Sequence, residues 1–150
     1  MILSALRFKE VRGAYASEFD LDADNWTVPA KRMKMGKTHV VPISPELRRL
    51  VGNLAPGKVF NHGTSKSSLH NLLKEYGYFG QATIHGFRST FKDWVTDVAQ
   101  PRDATELAEM CLAHAREGVE GSYGVATRLE ERRELMRRWS DYLTAPDVAQ

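Results

Sequence analysis

Apolar residues recur every three to four positions along some stretches of this chain and alternate along others, and the two periods divide it into helices and strands. Residues 82–95, ATIHGFRSTFKDWV, carry one stripe of Ile84, Phe87, Phe91, Trp94 and Val95 and a second of His85, Arg88 and Lys92. This spacing predicts a helix from about Ile84 to Ala99, ended by Pro101, with an apolar face in the core and a cationic face beside it. RLEERRELMRRWSDYL predicts a strongly amphipathic helix, with Leu129, Leu135, Met136, Trp139 and Leu143 inward and Glu–Arg pairs outward. Shorter helices are expected in SALRFKEVR up to Gly13, after Ser44 and Pro45, in SKSSLHNLLKEYG, and in DATELAEMCLAH, where Asp103 and Glu106 match a capping box. Strand character appears in AYASEFDLD, NWTVPA and HVVPIS, joined by a turn at Asp22–Asn25 and a basic hairpin, KRMKMGK, around Gly36. The expected fold is α+β and mostly α-helical, with a small three-stranded antiparallel sheet.

The chain has 150 residues, 42% of them hydrophobic and 27% charged, which admits one domain with a real core. No apolar run is long enough to span a bilayer, and MILSALRFKE lacks the layout of a signal peptide. Cys111 is the single cysteine, so no internal disulfide forms and a reducing compartment fits. Net charge is only +2, but its distribution is uneven. Residues 25–92 hold eleven Lys and Arg against Glu46 and Glu75, a balance of +9, whereas residues 1–24 come to −2 and residues 93–150 to −5. A cationic middle in a near-neutral chain suits a polyanionic partner on one face.

The side chains able to do chemistry are Arg7, Lys34, His85, Arg88, His114 and Tyr123. Each has an ordinary structural explanation alone; their order and spacing carry more. Arg7 is followed by Glu10 in LRFKE. Lys34 lies eight residues before Pro42 in MKMGKTHVVPIS. His85 and Arg88 form His-x-x-Arg in HGFRSTF. His114 ends CLAH, and Tyr123 follows nine residues later in GSYG. With these motifs and the tail LEERRELMRRWSDYL, essentially the whole chain resembles the catalytic domain of the tyrosine recombinases, in particular the integrases of prophages and genomic islands. One departure is Lys9, where the family often has glycine.

The resemblance implies an integrase catalytic domain over residues 1–143 and a flexible tail over 144–150. The front of that domain and the N-terminal DNA-binding domains are expected to be absent from the sequence. It also implies site-specific DNA recombination through a 3′-phosphotyrosyl intermediate formed by Tyr123. Arg7, Arg88, His85 and His114 would hold the scissile phosphate, and Lys34 would protonate the leaving oxygen. Lys31, Arg32, Lys37, Lys66, Lys74 and Lys92 would contact other phosphates of double-stranded DNA. No metal or cofactor and no membrane are expected. A cytoplasmic, nucleoid-associated location is expected, with a tetramer on DNA for the full-length protein and a monomer for this chain alone. The alternatives are a DNA-binding fragment with weak or no catalysis and a strand transferase resembling type IB topoisomerases. A metal enzyme built on Cys111, His114 and His85 is disfavoured, because CLAH has no second ligand pair.

Overall fold

Three strands form an antiparallel meander: β1 (Phe19–Asp20), β2 (Asn25–Val28) and β3 (His39–Pro42), in that spatial order. Trp26 sits opposite Phe19 on one side and Val41 on the other, and its ring stacks on Phe19 at 4.6 Å. The computed structural model describes residues 1–60, 65–114 and 128–146. Six α-helices accompany the sheet among them: α1 (Phe8–Arg12), α2 (Pro45–Val51), α3 (Lys66–Glu75), α4 (Gly86–Trp94), α5 (Ala104–Cys111) and α6 (Leu129–Thr144). The mostly helical α+β expectation matches this architecture.

Two apolar clusters organise these elements. Leu6, Val11, Trp26, Val28, Met33, Val41, Ile43, Leu47 and Val51 form a core under the sheet. Ala5, Phe91, Trp94, Val95, Leu107, Leu112, Leu135, Met136 and Trp139 form the helical core. Phe91, Trp94 and Trp139 pack ring against ring there, with Phe91 edge-on to Trp139 at 5.4 Å. Of the apolar stripe predicted for residues 84–95, Phe91, Trp94 and Val95 enter this core, with Phe91 and Val95 fully enclosed, whereas Ile84 and Phe87 line a separate apolar groove.

The joint between the cores runs through the N-terminal segment, where the single helix expected up to Gly13 is broken. A tight turn at Ile2–Ser4 ends at Ala5, which has a φ of 51°, and Arg7 is extended before α1 begins. Glu10 stabilises the break: its carboxylate accepts from the Arg7 backbone N–H at 2.8 Å and from Arg7 Nη1 at 3.1 Å. Neighbouring residues thereby enter different cores, Ala5 the helical one and Leu6 the one under the sheet. A continuous helix would keep both on one cylinder.

Arginines from the helices close this seam by donating to carbonyls on its far side. Arg132 reaches Val40 O, and Arg133 Nη1 reaches Asp24 O at 2.9 Å. The heptad-like pattern of α6 gave no hint of a buried Arg132, which is only 2% exposed, whereas Leu143, expected inward, is exposed. The helix is one turn too long for Leu143 to reach a core that ends near Trp139.

Other local expectations need correction. AYASEFDLD is a turn at Ala16–Glu18 followed by only two residues of strand. Glu18 accounts for this, since its carboxylate receives Arg32 and Trp26 Nε1 and turns the chain inward. Asp103 makes no side-chain cap to α5: its backbone has a φ of 57°, and its carboxylate lies 3.5 Å from Arg128. The helix expected to run to Ala99 widens after Trp94 into a π turn at Val95–Ala99. The cap expected at Ser44 is present, its Oγ accepting from Leu47 N, and Ser65 caps α3 in the same way, its Oγ accepting from Ser68 N.

Candidate functional site

A cleft of about 600 Å³ opens between the hairpin that joins β2 to β3, the start of α1, and the facing ends of α3 and α4. Its walls include Arg7, Lys9, Arg32, Lys34, Lys66, His70, His85 and Arg88, with Glu10 the one acidic residue among the described lining residues. Four of the six candidate chemical residues, Arg7, Lys34, His85 and Arg88, therefore share one cavity. His114 joins them through Arg88, its Nε2 lying 3.1 Å from Arg88 Nη2. Tyr123 lies outside the described residues.

The elements explain each placement. Arg7 is the extended cap residue just before α1, and the Glu10 carboxylate holds both its backbone N–H and its guanidinium Nη1. His85 ends the loop before α4, and Thr83 Oγ1 caps that start by accepting from Gly86 N at 2.9 Å. Arg88 stands one turn later and is only 5% exposed. It donates to Ala5 O, to Leu112 O at 2.8 Å and to His114. Among the described residues these bonds use three of the five N–H groups of a guanidinium. Burial, with the neighbouring Arg7 charge, pushes the Arg88 guanidinium down to about 10, against the pull of Glu10 and Glu109. It still carries its charge at neutral pH, and the cost of holding it there falls when an anion arrives.

The outer basic residues divide into two groups. Lys31, Lys34 and Lys37 are exposed on the β2–β3 hairpin, and Lys66, His70 and Lys74 lie four apart on one exposed face of α3. Arg32 and Lys92 are committed within the fold instead. Arg32 is paired with Glu18 and also donates to Gly13 O at 2.6 Å, and Lys92 Nζ is 2.7 Å from Glu109. Among the described residues no group of three or more His, Cys, Asp or Glu is arranged to hold a metal ion. Cys111 is enclosed, and burial pushes its thiol up to about 11 against the opposing effect of Arg132. No helix among the described residues is long and apolar enough to cross a membrane.

No family model matches the chain. It is 31% identical to the prophage integrase IntZ of Escherichia coli K12 over 94% of its own length. It is 35% identical over 93% of its length both to the integrase of Shigella phage Sf6 and to prophage integrase IntS of E. coli K12. The chain belongs to the phage integrase family. It spans 37–39% of the length of these relatives. The fold agrees: an integrase from mycobacterium phage Brujita superposes with a TM-score of 0.67 over 92% of this chain and 48% of its own, at 18% identity.

The integrase domain also carries groups beside the cleft that its sequence did not single out. His39 is the first residue of β3 and is 4% exposed, with Nε2 lacking a partner among the described residues. Burial pushes its imidazole down to about 3; Arg132, Arg88 and Arg7 add to this, and the Cys111 carbonyl opposes it. The alternation of HVVP was the available signal, since His39 shares the inward face with Val41. His70 was legible from its four-residue spacing to Lys66 and Lys74.

A pH dependence of stability follows from His39. The folded integrase domain keeps this imidazole neutral down to about pH 3, whereas the unfolded chain binds a proton below its ordinary value of 6.5. Between these limits the unfolded state holds more protons, so stability is complete above pH 6.5 and falls as pH drops toward 3. From pH 6.5 to 5 the loss from this residue is about 2 kcal/mol. Urea unfolding at a series of pH values checks it. His39→Gln should show a shallower decline over that interval, and equal slopes for the two proteins would remove His39 as the cause.

Proposed function

We propose that this chain cuts and rejoins double-stranded DNA during site-specific recombination, by transesterification through a 3′-phosphotyrosyl intermediate. The observation that carries the reading is the convergence of Arg7, Lys34, His85 and Arg88 on one cationic cleft, in a chain whose relatives are integrases. The Tyr123 oxygen attacks the scissile phosphorus in line, and the P–O5′ bond breaks. Arg7 and Arg88 present planar donor forks to the non-bridging oxygens and stay charged throughout. His114 adds a donor, and His85 orients the phosphate or takes the tyrosine proton. Lys34, on the exposed hairpin, gives the leaving 5′ oxygen its proton. The covalent link conserves the bond for religation, and the protein's own cations stabilise the developing charge without a metal or nucleotide.

Lys31, Lys37, Lys66 and Lys74 extend the cationic surface from the cleft along the hairpin and α3, with His70 as a further donor, matching a duplex whose phosphates run past the scissile one. Complete recombination engages four protomers on two duplexes; this chain by itself is a monomer that binds one. Each phosphate contact contributes about 0.9 to the slope of log affinity against log salt. Lys66→Ala with Lys74→Ala should therefore reduce that slope by roughly 2 for duplexes of any sequence. An unchanged slope in a filter-binding titration would place the DNA elsewhere.

The deciding experiment incubates the chain with a library of nicked duplexes of randomised sequence in EDTA and separates the products on a denaturing gel. A slow-migrating protein–DNA band that protease removes is the expected result. DNA binding without that band on any duplex would leave the fragment a binding module only. A band that forms only when divalent metal is restored would overturn the metal-free mechanism.

A further inference from the structure

We propose that Glu109 is a positioning residue for this chemistry: it fixes which nitrogen of His114 carries the proton and holds the imidazole against Arg88. The inference rests on the recombinase reading above, and one arm of its test stands apart from that reading.

Four side chains form a line across the packing of α4 and α5. Arg88 and Lys92 lie one turn apart on α4, Glu109 is in the last turn of α5, and His114 closes the segment after it. Lys92 Nζ is 2.7 Å from one carboxylate oxygen of Glu109, and the other oxygen contacts His114 Nδ1. On its far side His114 presents Nε2 to Arg88 Nη2 at 3.1 Å.

The donor inventory then fixes the proton. A guanidinium has N–H donors and no acceptor, so the His114 nitrogen facing it must supply a lone pair. That nitrogen is Nε2, which puts the proton on Nδ1, where the Glu109 carboxylate accepts it. The opposite tautomer would set two donors against each other at Arg88 and a lone pair against a carboxylate. Burial works against the ionised form of Glu109, but hydrogen bonds from Lys92 and His114 hold its carboxyl below the usual range. Lys92 also fixes the carboxylate's orientation. When a phosphate enters the cleft and draws Arg88 Nη2 onto itself, Nε2 is released from that bond and can take a proton from solvent and become a donor, because the negative charge of Glu109 already faces the other side of the ring. Lys92 accordingly acts through Glu109 rather than on DNA.

Glu109→Gln tests this with two readouts. In the first, nitrogen chemical shifts of the ¹⁵N-labelled His114 ring are recorded on the DNA-free chain above the pH at which histidines charge. The wild type should show the Nδ1–H tautomer, and the variant a mixture or the reverse. In the second, the first-order rate of adduct formation should fall about 10–100-fold, with DNA affinity unchanged within about twofold. An unaltered tautomer in the variant would overturn the proposal, as would a wild-type cleavage rate. Loss of rate and affinity together would show a merely structural role. If the wild type forms no adduct, the recombinase reading fails, and the ring shifts alone decide whether Glu109 sets His114.

Discussion

Tyr123→Phe is expected to give no covalent protein–DNA product on a nicked duplex that traps the wild-type chain. The variant removes one oxygen and nothing else of the ring's shape. Among the described cleft residues, Lys34, His85 and His114 bear nitrogens, whose phosphoramidate products hydrolyse in acid where a phosphotyrosine survives, and the Thr83 hydroxyl is engaged by Gly86 N at the start of α4. Deleting the nucleophile from a site of this kind lowers the rate by on the order of 10⁴–10⁶-fold. DNA affinity should be retained, because the cations lining the cleft are untouched. An acid-stable adduct of undiminished yield in the variant would move the nucleophile to another residue, which peptide mapping of the adduct would identify.

Arg88 carries the second large effect, and it must be separated from folding. Its guanidinium ties Ala5 O and Leu112 O while facing the cleft. Arg88→Ala therefore strips two buried carbonyls of a donor, at about 1–3 kcal/mol for each group left unsatisfied. Arg88→Lys retains the charge and one point of attachment but loses the planar fork. Adduct formation by the Lys variant should fall on the order of 10²–10³-fold, the loss expected when a transition-state donor disappears. Its DNA affinity should change little, since one cation replaces another. A Lys variant that melts at the wild-type temperature and cleaves at the wild-type rate would reduce Arg88 to a structural tie. Two carboxylates hold its neighbours: Glu10 holds Arg7 and Glu109 holds His114.

What the sequence made legible was mostly periodic. The two stripes of residues 84–95 were visible because helical spacing separates them, and the structure puts Phe91, Trp94 and Val95 of one in the core and His85 and Arg88 of the other at the cleft. The cap at Ser44 and the β2–β3 hairpin were readable for similarly local reasons. The break at Ala5 was not, because nothing in SALRFKE disfavours a helix; it depends on Glu10 folding back and on which core claims each neighbour. Arg132 looked like a surface charge until its far-side acceptor, Val40 O, came from a strand more than ninety positions earlier. Lys92 and Arg32 counted as free cations by composition, and their acidic partners become evident only when α5 and the Ala16–Glu18 turn are in place.

The way the seam is closed has a bearing on what the protein attracts. Arg132 binds Val40 O across it and Arg88 binds Ala5 O beside it, and among the described residues neither guanidinium forms an ion pair with a carboxylate. Had aspartates or glutamates received them, the halves would be joined equally well and the interior would be electrically silent. Joined this way, the mortar between the two halves is also the source of the field that draws in a polyanion.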